Sequence, residues 1–98
     1  MNANDIAAEI YKKVEKVSIK NNPNLTVSDK YRHWTIGITD DLKMRKQEHE
    51  SDGKDVTYWN GWPADSEKVA RTVEKYFKDK KMNGGTGGGQ NPTYVYIF

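Results

Sequence analysis

The last six residues constrain this chain most. Thr93-Tyr94-Val95-Tyr96-Ile97-Phe98 sets Tyr94, Tyr96 and Phe98 on one side and Val95 and Ile97 on the other, the two-residue period of a β-strand. Before it runs Asn83-Gly84-Gly85-Thr86-Gly87-Gly88-Gly89, with five of the chain's eight glycines. Such a stretch reads as a connector, over 83–91, or as a loop of close backbone approach. The terminal strand therefore belongs to a sheet whose other strands lie earlier in the chain.

Those strands are expected at Tyr31 to Thr39, where Trp34, Ile36 and Ile38 alternate with His33, Thr35 and Gly37, and at Val56 to Trp59, with Asn60-Gly61-Trp62-Pro63 as a turn. Leu25 to Ser28 reads as a short extended piece. Helices are expected at 4–20, along the stripe Ile6, Ile10, Val14 and Val17; at Asp41 to about Glu50; and at 65–81, along Val69, Val73, Tyr76 and Phe77. Asn4 or Asp5, Thr39 or Asp40, and Asp65 or Ser66 are the expected caps. The order predicts one α+β domain over 1–98: a small, mostly antiparallel sheet of about three strands packed with about three helices.

Composition narrows the function classes. At 98 residues with 31% charged side chains, only a small core is affordable, and eleven aromatics supply much of its area. No apolar run is long enough for a membrane span. The N-terminal residues Met1-Asn2-Ala3-Asn4-Asp5 lack the pattern of a signal peptide, and cysteine is absent, so a cytoplasmic location is expected. A net charge of +2 permits contact with nucleic acid without requiring it.

Leu42, Arg45 and His49 fall on one helical face. An Arg there can grip a phosphate with its planar fork, or it can be a solvated flank beside an incidental His. Glu74 could hold Mg²⁺, or pair with Arg71 or Lys78 as an ordinary surface carboxylate. Tyr94, Tyr96 and Phe98 could stack bases or be core, and Trp34, Trp59 and Trp62 carry the same alternatives. Two histidines and no cysteine exclude a thiolate or three-His zinc site.

Taken together, Trp34-Thr35-Ile36-Gly37-Ile38-Thr39-Asp40-Asp41-Leu42 with Arg45 and His49 resembles the second strand and first helix of GIY-YIG nuclease domains. Val56-Thr57-Tyr58-Trp59 resembles their third strand, and Ala70-Arg71-Thr72-Val73-Glu74-Lys75 the helix that carries their metal-binding Glu. The opening strand of the family is missing before Trp34, and Tyr94-Val95-Tyr96-Ile97-Phe98 looks like it. The resemblance thus implies a circularly permuted domain over 31–98, with the helix at 4–20 as an addition or in place of the family's last helix. It implies metal-dependent hydrolysis of nucleic-acid phosphodiesters, with Glu74 holding Mg²⁺ or Mn²⁺, Arg45 clamping phosphate, Tyr96 as the tyrosine of the first motif strand and His49 as an accessory group. Thr35 stands where the second tyrosine is expected, with Tyr31 as a substitute, and Asn83 and Asn91 are candidates for a downstream Asn. The alternative is a non-catalytic relative that binds nucleic acid through Lys43, Arg45 and Lys46, or a protein partner through Trp59 and Trp62.

Overall fold

The computed structural model describes residues 1–17, 27–84 and 91–98. In chain order these form α1 (Ala3–Lys16), α2 (Val27–Arg32), β1 (Thr35–Thr39), α3 (Leu42–Ser51), β2 (Asn60–Pro63), α4 (Glu67–Asp79), β3 (Asn83–Gly84) and β4 (Tyr94–Ile97). The fold is α+β, with four helices and a four-stranded mixed sheet in the order β2-β4-β1-β3. The described part of the expected connector begins as strand β3; positions 85–90 lie outside the described residues, as do Leu25, Thr26 and the end of the helix expected at 4–20.

Caps set where the helices begin. Asn2, Asp41 and Ser66 each turn a side-chain oxygen onto the backbone N–H three residues on, at 2.8, 3.0 and 3.2 Å, which satisfies one of the orphan donors of each first turn. Thr39 Oγ1 also accepts from the Asp41 N–H at 3.1 Å. The step from β1 into α3 is thereby tied by side chains. At the end of α4, Lys81 takes a left-handed φ of 83°. Its N–H reaches the Lys78 carbonyl and the Met82 N–H reaches the Phe77 carbonyl, the Schellman closure. That closure turns Met82 into the core and sends Asn83 beside β1.

β4 is the centre of the sheet. It pairs antiparallel with β1 (Ile36↔Ile97, Gly37↔Tyr96, Ile38↔Val95, Thr39↔Tyr94) and antiparallel with β2 (Asn60↔Ile97, Gly61↔Tyr96, Trp62↔Val95, Pro63↔Tyr94). β3 adds a short parallel ladder to β1, Thr35↔Asn83 and Ile36↔Gly84. This strand makes the sheet four-stranded and mixed instead of three-stranded. The outer edge of β2 offers few donors: the Gly61 N–H is taken by Asn60 Oδ1 at 2.9 Å, and Pro63 has no N–H.

Three local expectations are corrected. Val27 and Ser28 open helix α2 instead of forming an extended piece. Val56–Trp59 is a turn and Asn60–Pro63 the strand. Asp55 Oδ1 accepts the Thr57 N–H at 2.9 Å, and Trp59 N–H bonds the Val56 carbonyl at 3.0 Å, so this stretch curls on itself. Extending the following residues brings Trp62 into the core. Tyr31 and Arg32 end helix α2 rather than opening β1, because Trp34 N–H closes a turn on the Tyr31 carbonyl at 3.1 Å.

The two faces of the sheet differ. Ile36, Ile38, Trp62, Val95 and Ile97 join Ile6, Ile10 and Val14 of α1 and Ala70, Val73 and Phe77 of α4 in one buried cluster with Trp34 and Tyr31. Trp34 and Trp62 are thus core, and Trp62 is no anchor for a partner. Helix α1 is part of the same core: Ile6, Ile10 and Val14 are fully buried. Tyr96 and Phe98 point to the opposite face, with α3. Among the described residues no helix is long and apolar enough to cross a membrane. Because α1 shares the core, Ile10→Ala is expected to lower the stability of the whole domain by about 2–5 kcal/mol. Urea unfolding followed by tryptophan fluorescence checks this; an independent helix would leave that transition where it was.

Candidate functional site

The site is built around the hydroxyl of Tyr96. Three elements distant in sequence supply it: β4 carries Tyr96, β1 carries Gly37 opposite it, and α3 lies across both. Residue 37 must be small because of close approach, not because of its φ. A Cβ there would lie 2.3 Å from Tyr96 Oη and 2.4 Å from Cζ. Gly61, on the other flank, is likewise covered by Leu42, whose Cδ2 would meet a Cβ at 2.7 Å. Glycines on both sides of Tyr96 therefore let its ring lie down and let α3 sit close to the sheet.

Helical spacing on α3 then does the rest. Leu42 anchors the first turn, and Arg45 and His49 follow on the same face. Arg45 Nε donates to Tyr96 Oη at 3.2 Å, and His49 Nε2 lies 3.0 Å from the same oxygen. Arg45 Nη1 donates to Glu48 Oε2 at 2.6 Å. The Trp59 ring stacks on Tyr96 at 4.5 Å and 14°, and His49 lies 4.6 Å from the Phe98 ring. Tyr96 and His49 are almost wholly buried.

Burial decides the charge states. It raises the Tyr96 phenol above its ordinary value; hydrogen bonding and the charge of Arg45 oppose this, and the charges of Glu74 and Glu48 add to it. Burial also lowers His49, helped by the charges of Arg45 and Lys54 and opposed by Asp52 and Glu48. At neutral pH the pair is a phenol beside a neutral imidazole. His49 Nδ1 is buried with no hydrogen-bond partner among the described residues. An orphaned acceptor costs less than an orphaned N–H, which assigns the ring proton to Nε2. His49 and Arg45 then both donate to the phenol oxygen, and the Tyr96 proton is left to donate to a third group.

Glu74 stands on α4, half-buried, with its carboxylate 3.5 Å from Lys78 Nζ; Arg71 pairs instead with Glu67. Its hydrogen-bonding does not reach Arg45, His49 or Tyr96, but its charge reaches Tyr96. Among the described residues no group of three or more His, Cys, Asp or Glu could hold a metal. Glu74 is thus a lone carboxylate, already paired with the Lys78 ammonium.

Other expected residues fall elsewhere. Thr35 opens β1, its N–H and carbonyl exchanging bonds with Phe98 at 2.6 and 3.0 Å. Tyr31 does not replace a phenol there: it is buried in the core beside Tyr11 and Phe77. Asn83 spends its side-chain amide on the Arg32 carbonyl at 2.9 Å, and Asn91 is exposed. Three participants were not singled out from the sequence: Gly37, Glu48 and the platform role of Trp59. A glycine inside a strand was the available signal for the first.

No protein-family model matches this chain, and neither does any curated protein or solved structure.

Gly37→Ala is expected to push Tyr96 from its place and cost about 1–3 kcal/mol, read as lost stability together with shifted His49 and Arg45 side-chain NMR signals. His49 adds a pH dependence. Its folded pKa is depressed, so its contribution to stability is complete above the unfolded value of about 6.5 and is lost as pH falls through the folded value. A His49→Asn variant should flatten that slope in denaturant titrations between neutral and mildly acidic pH.

Proposed function

We propose that this chain is a circularly permuted, GIY-YIG-like domain acting on nucleic-acid phosphodiesters. The observation that carries this reading is the meeting of Arg45, His49 and Tyr96 at one phenol oxygen, with Glu74 close enough for Tyr96 to sense its charge. The strand placement supports it too: Tyr94–Ile97 lies antiparallel beside Thr35–Thr39, the neighbour that a displaced opening strand requires.

In this reading the Arg45 guanidinium binds a phosphate oxygen and is held in orientation by Tyr96. The Tyr96 hydroxyl donates to the phosphate or orients the attacking water, and neutral His49 keeps the phenol in place from behind. Glu74 would hold the divalent ion, Mg²⁺ or Mn²⁺, whose chemistry when bound would be to polarise a phosphoryl oxygen and stabilise the leaving oxygen. Trp59 and Phe98 keep water from one side of the phenol. Exposed Lys43 and partly buried Lys46, beside Arg45 on α3, add backbone contacts.

Thr35 favours a second reading. Its short side chain cannot place a phenol oxygen where the family's second tyrosine does, and Tyr31 is committed to the core. A domain with this gap binds phosphodiester backbones without cutting them.

Plasmid nicking with added Mg²⁺ or Mn²⁺ separates the two. Hydrolysis predicts metal-dependent nicking that falls by roughly a hundredfold or more in Glu74→Ala while DNA binding persists. Nicking at an unchanged rate in that variant removes Glu74 from the site. No nicking by the parent chain, with binding that weakens steeply between about 50 and 200 mM salt, selects the non-catalytic reading.

A further inference from the structure

We propose that Glu48 is the resident anion of this site, holding Arg45 until a phosphodiester displaces it. This rests on the reading of Arg45 as a phosphate clamp. The argument starts from unequal burial. The Arg45 side chain is 18% exposed and that of Glu48 is 48% exposed. A guanidinium this far removed from water, hydrogen-bonded to the Tyr96 phenol, is stabilised by a neighbouring anion. Glu48 Oε2, 2.6 Å from Nη1, supplies one from a single turn further along α3. The carboxylate itself has little to lose, because half of it is already hydrated and it can swing into solvent.

Carboxylate and phosphate present the same kind of oxygen edge to a guanidinium. A phosphodiester arriving at Arg45 therefore meets a place already filled by a like-charged group. The charge of Glu48 also acts on both Tyr96 and His49, so it sits near all three groups of the site and not merely along the helix surface. When a monoanionic diester replaces the carboxylate, Arg45 Nη1 exchanges one negative partner for another. Glu48 thus sets how tightly the site holds phosphate and how readily it lets go. The ordinary alternative is that Glu48 aims the guanidinium, as many helix ion pairs fix a side chain. The two roles have opposite signs.

The test is titration of the folded chain with a thymidine dinucleotide bearing one phosphodiester, followed by the Tyr96 and His49 side-chain NMR signals. Glu48→Gln is expected to tighten binding about three- to tenfold, the scale of one partly exposed ion pair and one removed like charge. Glu48→Ala should move it the same way. Arg45→Gln should lose binding. Unchanged binding in both Glu48 variants overturns the inference. So does weaker binding, which makes Glu48 a positioning residue for Arg45. If Arg45→Gln binds the dinucleotide as tightly as the parent, the phosphate reading of Arg45 itself fails. That result is distinct from an Arg45 variant that loses binding while the Glu48 variants show no gain.

Discussion

The pairing of Thr35–Thr39 with Tyr94–Ile97 is the constraint on which the rest of the molecule depends. It joins segments more than fifty positions apart, and β4 also pairs with β2 on its other side. Every side chain of β4 is assigned by that register. Val95 and Ile97 enter the apolar core, while Tyr96 and Phe98 face α3. A slip of one residue would exchange the two sets. It would bury a phenol among Ile6, Val14 and Phe77, and it would take the Tyr96 hydroxyl away from Arg45 and His49. Gly37 adds a steric lock, since in this register alone the Tyr96 hydroxyl lies over the one position of β1 that lacks a side chain.

The two faces that result have different physical characters. Between the sheet and α1 with α4 lies an apolar layer stabilised by area removed from water. Between the sheet and α3 lies a thin aromatic layer that contains an arginine, a histidine and a phenol. Burial there works against charge: it keeps His49 neutral and Tyr96 protonated. Arg45 stays charged in any setting a protein offers, so it draws negative partners toward the layer. Glu48 meets it directly. Glu74, on α4, acts on Tyr96 by its charge and is paired with Lys78. The permanent charge of Arg45 therefore lies beside two groups that burial keeps neutral.

Helices were the legible part of the fold. The stripes Ile6-Ile10-Val14 and Val69-Val73-Phe77 are local periodic patterns, and the helices form on them within a few residues of where they are expected. The face shared by Leu42, Arg45 and His49 also follows from spacing alone, and it does meet Tyr96. Strands were less legible because pairing partners outvote local pattern. Val56–Trp59 has the better strand composition, yet Asn60–Pro63 takes the place beside β4, since Asp55 curls the former and Trp62 fills the core from the latter. Strand β3 had no signal at all: Asn83 and Gly84 are poor strand formers, held extended by the helix closure at Lys81 and by the carbonyls of Arg32 and Trp34.

What the sequence by itself determined is much of the inventory and its local periods: where α1, α3 and α4 run, which faces of α1 and α4 are apolar, that the final residues alternate, and that Arg45 and His49 share a face. These depend on contacts within a few residues. Tertiary structure decided which alternating segment lies beside which, that Tyr31 is core and Tyr96 is site, and that Glu48 shares Arg45 with Tyr96. Those outcomes depend on groups brought together from opposite ends of the chain. Their energies of burial and charge exist only once the sheet has closed and water has left the space between β4 and α3.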